Sequence, residues 1–346
     1  MILVNNPGSW DHVYPPLEHA EWNGWTATDL IFPFFLFIVG VSLVLSLTRR
    51  QGAGIDRAAL VRKIVGRAAA IVAIGFMLNL IPRFDLATVR IPGVLQRIGV
   101  VYLITALLMV FTAERTQRIV LATLLLGYWL LMTRVPVPGH GVGALAPDAN
   151  LAQWLDLRIF ARHMWKPRWD PEGILSTIPA VGTCLMGTLA GRWLQLARSP
   201  TETAAALLVW GNSALVSGLV ADHWFPINKS LWTSSYVLVT GGAALMLFGV
   251  LYWIIDVRQR RDWAWPLYVF GANALAVFVL SGLLARALLR VHVGGGSVSL
   301  QAWIYQRAFA SWAGPSGGSL AFAAAYLLFW LGVMAIFYRR RWFIRL

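Results

Sequence analysis

Nine stretches, at about 29–48, 64–81, 93–112, 119–134, 173–191, 204–221, 232–255, 266–289 and 318–338, are almost wholly apolar and separated by short polar breaks. A helix needs about 20 such residues to cross the hydrocarbon core of a bilayer, so a chain of this pattern has lipid as its solvent. A backbone in lipid must satisfy its own N–H and C=O groups, and helices do so within one segment. The composition agrees: 58% of the 346 residues are hydrophobic and 13% are charged, against roughly a quarter charged in soluble domains. The expected fold is an all-α polytopic transmembrane bundle of about ten spans. It forms a single domain over 1–346, with a long connection at about 135–172.

The tenth span comes from the start of the chain. Met1–Asn6 is apolar but too short to cross, and no charged segment, apolar core and small-residue cleavage site precede it, so there is no signal-peptide pattern. The start reads as cut: half a helix ending in mid-bilayer leaves backbone groups unsatisfied, so a miscalled start codon is the expectation.

A net charge of +14 raises nucleic-acid binding as a reading, but the basic residues fall in small clusters between apolar runs and no recognition motif accompanies them. Their placement gives orientation instead. Arg49, Arg50, Arg57, Arg62 and Lys63, then Arg115 and Arg118, then Arg192 and Arg198, then Arg258, Arg260 and Arg261, then Arg339, Arg340, Arg341 and Arg345 occupy alternate breaks. Cytoplasmic loops carry the Lys/Arg excess, so this set and both termini are expected in the cytoplasm. The other side receives 7–28, 82–92, 135–172, 222–231 and the Gly/Ser-rich 290–317, together with all six histidines, His12, His19, His140, His163, His223 and His292. No two of those are spaced as His-x-x-x-His, and Cys184, the only cysteine, lies inside an apolar run. A zinc site is therefore not expected, and Cys184 is read as packing. The stretch 135–172 is dense in Trp, Arg and Pro, and is read as a folded cover over an external cavity.

The densest polar and aromatic patch runs from Glu18 to Asp29 and leads straight into the first full span. Ionisable groups at a membrane boundary are costly unless they find partners or serve a cavity. Thr26 or Thr28 is placed to cap the following helix, and Asp29 either meets its positive end or serves a site. Trp22 and Trp25 are either interfacial belt residues or flat surfaces for a ligand. His19 is either a solvated loop residue or the imidazole that moves a proton or attacks a carbonyl near neutral pH.

The pattern His19-Ala-x-Trp22-Asn23-Gly-x-Thr-x-x-Asp29-Leu-x-Phe-Pro33 resembles the signature of the heparan-α-glucosaminide N-acetyltransferases and their bacterial relatives. Three further blocks follow in the family's order: Arg90-Ile-Pro-Gly-Val-Leu-Gln96-Arg97-Ile-Gly99, Asp170-Pro-Glu172-Gly-Ile-Leu-Ser-Thr177 and Pro226-Ile-Asn228-Lys229-Ser-Leu-Trp232. The resemblance covers nearly the whole chain and implies an inner-membrane acyltransferase. It would carry an acetyl group from cytoplasmic acetyl-CoA to an amino sugar or glycan on the other side, with a homo-oligomer also possible and no metal required. The family's active-site histidine falls on His19, and an asparagine near the end of the first span falls on Asn5 at a slightly longer spacing. Trp22, Asn23, Asp29, Glu172, Asn228, Lys229 and Trp232 are the candidates for the sugar. Arg90, Gln96 and Arg97 are the candidates for the donor. For Arg97 the alternative is an ion pair with Asp29, Asp85 or Glu172, and for Arg90 it is anchoring of its loop. Bacterial relatives are also described as N-acetylglucosamine transport components, so an amino-sugar permease with the same fold and no acyl transfer is the competing expectation.

Overall fold

The computed structural model describes residues 1–52, 56–81, 84–196, 198–294 and 296–344, without the side chains of 50–52. Arg345 and the side chain of Arg50, both in the basic set, lie outside the described residues. The described chain is helical with one two-stranded hairpin, and eight helices are long and apolar enough to cross a membrane. A bent pair makes nine. Each of the nine apolar stretches lies in one of these helices, and a short helix, α1 (Ile2–Asn5), stands where the clipped tenth was expected.

The larger of two compact units comprises Ala20–Trp25 and Asp29–Arg258. It contains α2 (Ile31–Gly52), α3 (Arg57–Leu80), α4 (Val94–Phe111), α5 (Glu114–Arg134), α6 (Leu151–Phe160), α7 (Ile174–Gln195), α8 (Pro200–Ala221) and α9 (Ser234–Tyr252), the last continuing as a π turn to Val257. Several helices begin before their apolar run: α3 starts at Arg57 and α5 at Glu114, each opening with a charged turn that hydropathy does not register. Asp56 caps α3, and Ser199 with Glu202 forms a reciprocal capping box on α8, satisfying N–H groups that have no partner inside the helix.

The middle of this unit is α7, which packs against α2, α4, α5, α6, α8 and α9. Its contact with α2 is backbone against backbone. A methyl on Gly187 would come within 1.9 Å of the Phe37 carbonyl oxygen, and one on Gly40 within 2.0 Å of the Cys184 carbonyl oxygen. Lipid tails are as apolar as leucine, so helices in a membrane gain little from burying apolar surface and associate through such close approach of small residues. Cys184 is buried at this contact.

The connection 135–172 is folded. It holds a hairpin of β1 (Pro136–Val137) with β2 (Gly141–Val142), then α6, capped by the Asn150 side chain. Tyr128, Met132, Val137, Leu151, Phe225 and Leu231 close a core beneath it.

The smaller unit, Met1–His19, Thr26–Thr28 and Gln259–Leu346, contains α1, α10 (Trp265–Ala272), α11 (Ala274–Arg290), α12 (Leu300–Ile304) and α13 (Ser311–Arg339). Its core is Val269, Val277, Tyr326, Trp330 and Met334. The stretch 290–317, expected as a loop, is helical from Leu300 onward: α12 passes through a π turn, Tyr305–Ala310, into α13. Gln301, Gln306 and Arg307 lower its hydropathy without lowering its helix propensity. The 40 helical residues Leu300–Arg339 break at Gly314, whose φ is 71°, followed by Pro315, so one membrane-length segment follows the break. The helices α10 and α11 meet at 72° about Asn273. There Asn273 Nδ2–H donates to the Trp342 carbonyl at 3.0 Å, and its Oδ1 accepts the Ile344 N–H at 2.9 Å, so the segment after α13 meets the broken turn.

Candidate functional site

Three of the four sequence blocks lie in the larger unit, and the first, from His19 to Pro33, is split between the two. In the smaller unit, His19 and Asn5 are both exposed, and Asn5 donates its backbone N–H to Met1. Thr26 and Thr28, expected to cap a helix, donate their hydroxyls backwards to the carbonyls of Glu18 and Leu17 at 2.5 and 2.8 Å and so tie the preceding loop together.

In the larger unit the segment 20–25 lies along the loop 226–233. Gly24, at φ 92°, donates its N–H to the Ile227 carbonyl at 2.7 Å, and Asn228 Nδ2–H donates to Asn23 Oδ1 at 3.1 Å. Asn228 also organises its own turn, its Oδ1 accepting the Leu231 N–H at 2.8 Å while its N–H donates to the Thr233 hydroxyl at 3.0 Å. Thr233 in turn caps α9. Two expected sugar ligands therefore take part in holding this loop. Trp22 extends away from it, donating Nε1–H to the Leu145 carbonyl at 3.0 Å and meeting the edge of Trp169.

Asp29 and Lys229 are joined at 3.2 Å, Oδ1 to Nζ, with the carboxylate 1% exposed and the ammonium 20%. The second carboxylate oxygen accepts the Ala20 N–H at 3.0 Å, and Tyr236 donates its hydroxyl to the Asp29 backbone carbonyl at 2.6 Å. Burial lowers the Lys229 pKa, and the charge and hydrogen bond of Asp29 offset this only in part.

Trp232, expected as an open surface for a sugar ring, is 1% exposed and stands at φ 52°, in the left-handed region that a large side chain rarely adopts. The ring is packed on every side described. Phe32 and Tyr236 meet it edge-on at 5.1 and 5.3 Å between centroids, its Nε1–H donates to the Thr183 hydroxyl, and the Arg97 guanidinium lies 5.0 Å from its centre.

Arg90 and Arg97 have opposite fates. Arg90 makes a two-pronged contact with Asp170 at 2.8 and 2.6 Å and also bonds Glu172. Burial alone would lower its pKa, but the bonds to Asp170 and the charges of both acids hold it above the ordinary arginine value. This joins the loop before α4 to the loop before α7, and Asn79 reinforces it by donating to the carbonyls of Arg90 and Pro92. Arg97 is 2% exposed and has no carboxylate within ion-pairing distance among the described residues, so the pair with Asp29, Asp85 or Glu172 does not form. Asp85 instead bonds the N–H of Ala87 and the Thr88 hydroxyl. One Arg97 nitrogen donates to the Gly173 carbonyl and the Ser176 hydroxyl, while Nε and Nη1 have no acceptor, and the same is true of Gln96 Nε2.

Both residues line a cavity of about 530 Å³ walled by α3, α4, α6 and α7, with Val72, Phe76, Val100, Ile104, Ile178 and Val181 as its apolar surface and Glu172 at its edge. An otherwise apolar chamber with buried, unpartnered N–H groups is arranged to receive a ligand carrying acceptor oxygens on an apolar body.

Asp156, which sequence reasoning did not single out, is buried in α6 and accepts the Ile174 N–H at 2.9 Å. Burial pushes its carboxyl up to about 6, the charge of Asp170 adds to that shift, and the Ile174 N–H and Arg97 oppose it. The available signal was an acid inside the apolar helical run Leu151–Phe160.

The family model described as heparan-alpha-glucosaminide N-acetyltransferase, catalytic, matches residues 11–220 of this chain, which include every residue lining the cavity. The heparan-alpha-glucosaminide N-acetyltransferase of Mus musculus is 30% identical over 337 residues, covering 81% of this chain and 50% of that protein. The Homo sapiens protein of the same name is 30% identical over 338 residues, with the same coverage of 81% and 50%. The chain thus spans about half the length of the curated relatives it matches.

Proposed function

Because this multi-pass membrane chain belongs to the heparan-alpha-glucosaminide N-acetyltransferase family, we propose that it moves an acetyl group from cytoplasmic acetyl-CoA to the amino group of a glucosamine-type sugar. The acceptor is on the periplasmic side of a bacterial inner membrane and both termini are cytoplasmic; the alternate Arg-rich breaks support this orientation. The observation that carries this reading is the apolar chamber beside α4, which is lined by Gln96 and Arg97, two residues whose buried side chains carry unpartnered nitrogens. A short acyl thioester has that character, with carbonyl oxygens on an apolar chain.

In the reaction the C–S bond of the thioester breaks, an amide C–N bond forms, and the proton lost by the amine leaves with the coenzyme A thiol. His19 supplies the imidazole, either as the base that deprotonates the amine or as the nucleophile that holds the acetyl group as an acyl-imidazole before the amine takes it. Asn5 is the proposed donor to the oxyanion that develops on the carbonyl. Gln96 and Arg97 bind the donor, and Arg90 serves it by fixing the loop from which α4 starts. Lys229, Asp29, Glu172, Asn23 and Trp22 are the proposed contacts to the sugar, with Asn228 and Trp232 setting the loop that carries Lys229.

The test is transfer of labelled acetyl from acetyl-CoA to glucosamine by the full chain in detergent, with and without His19→Ala. Loss of a general base or nucleophile is expected to lower the rate by about 100-fold or more. Undiminished transfer by His19→Ala would remove His19 from the mechanism. Saturable sugar uptake into vesicles, with no acetylated product from any amino sugar, would replace the enzyme by the permease.

A further inference from the structure

A second chamber in the larger unit, about 400 Å³, opens beside the end of α7 and the starts of α5 and α8. Its mouth is basic. Arg118 and Arg192 both reach Glu114, Arg192 at 3.5 Å, so two guanidinium groups share one carboxylate and one positive charge is left over. Arg192 also donates to Gln117 Oε1 at 2.8 Å, yet its Nε and the indole Nε1 of Trp193 are buried with no acceptor. Two N–H groups on consecutive residues, beside uncompensated positive charge, match a phosphate oxygen.

Below the mouth the lining turns apolar: Leu121, Met186, Leu189, Leu207, Ala214 and Leu245. Ala214 lies about 21 Å along α8 from its start at Pro200, at 1.5 Å per residue. The hydrocarbon core is about 30 Å thick, so the chamber reaches from headgroup level past the middle of one leaflet. Trp210, also lining it, is 62% exposed on the outward side of α8.

We propose that this groove is a binding site for an anionic phospholipid, its phosphate held by Arg118, Arg192 and the Trp193 indole and one acyl chain lying along α7 and α8 toward Leu245. A free phosphate or a nucleotide would leave the apolar length of the groove unfilled. A neutral-headgroup lipid would leave the excess charge uncompensated.

The experiment is native mass spectrometry of the full chain released from detergent after titration with phosphatidylglycerol or phosphatidylcholine, with inorganic phosphate and coenzyme A as competitors. The wild type is expected to retain phosphatidylglycerol about tenfold better than phosphatidylcholine, the size of one charge-assisted contact. Arg192→Gln is expected to remove that preference. Ala214→Phe, which fills the apolar length and leaves every charge in place, is expected to weaken retention of phosphatidylglycerol by about the same factor. Equal retention of the two lipids by the wild type, or an unchanged preference in Arg192→Gln together with unchanged retention in Ala214→Phe, would overturn the site. Displacement of phosphatidylglycerol by phosphate or coenzyme A would overturn its assignment to lipid. If Arg192→Gln fails to fold, Arg118→Gln and Ala214→Phe carry the same test.

Discussion

Removing the Lys229 ammonium while keeping Asp29 is expected to be among the most damaging single changes near the site. The charges stand 3.2 Å apart. At an effective dielectric of about 20 that separation corresponds to an attraction of about 5 kcal/mol, and breaking a buried pair by deleting one partner costs about 3–5 kcal/mol. Lys229 is 20% exposed, which admits some solvent to the carboxylate and favours the lower end, so Lys229→Met should lose about 3 kcal/mol. The pair as a whole is a different matter. The Lys229 pKa is lowered despite Asp29, so burial costs the ammonium more than the partner returns, and Asp29→Asn combined with Lys229→Met should recover most of the loss. Tyr236 bonds the Asp29 backbone carbonyl, and that contact is the same in every variant. The assay is reversible unfolding in mixed micelles titrated with SDS, on both single variants and the double. A Lys229→Met protein as stable as wild type, or a double variant no more stable than Lys229→Met, would refute the reasoning.

Two further outcomes follow from the geometry. Asp156 has its carboxyl raised from 3.8 to about 6, so the folded protein binds its proton more tightly than the unfolded chain; the group's contribution is whole below about 4 and is lost as pH rises through 6, by up to about 3 kcal/mol. Asp156→Asn keeps an oxygen for the Ile174 N–H, and the wild type should lose stability relative to this variant between pH 4 and 7; a constant difference across that window would contradict it. Gly187→Val sets a side chain against the Phe37 backbone, which no rotamer relieves, and should cost about 3 kcal/mol or prevent folding, while Gly127→Val, where a methyl meets nothing within 4 Å, should cost far less. Thermal unfolding of both in detergent decides this.

Hydropathy locates all nine apolar spans because lipid enforces it residue by residue: a backbone that leaves the helix in the bilayer loses its hydrogen bonds. It is blind to what happens at helix ends, and so the charged first turns of α3 and α5 and the helix from Leu300 escape it. The site was legible as a list and illegible as an arrangement. Arg90 and Arg97 belong to the same block, and nothing in their spacing says that Asp170, 80 residues on, takes Arg90 and leaves Arg97 with open nitrogens. Trp232 reads as an aromatic beside polar residues, which suits a sugar platform equally well. Only the left-handed turn at its own position, imposed by the bonds that Asn228 makes, rotates the ring inward. Asp156 escapes a reading by motif because a lone acid in a short apolar helix has no partner in its own sequence; its environment comes from Asp170 and from the start of helix α7.

The bend between α10 and α11 bears on how the protein is handled. The amide of Asn273 is satisfied by Trp342 and Ile344, residues that follow the last helix and would ordinarily be treated as disposable. An affinity tag, a fluorescent reporter or a topology probe fused just after them hangs from the strap that closes a broken turn in an apolar segment. A label at the exposed turn Pro138–His140, between β1 and β2, avoids the buried Val137 and tugs on nothing comparable, and is the safer handle for purification and for deciding which side of the membrane each end occupies.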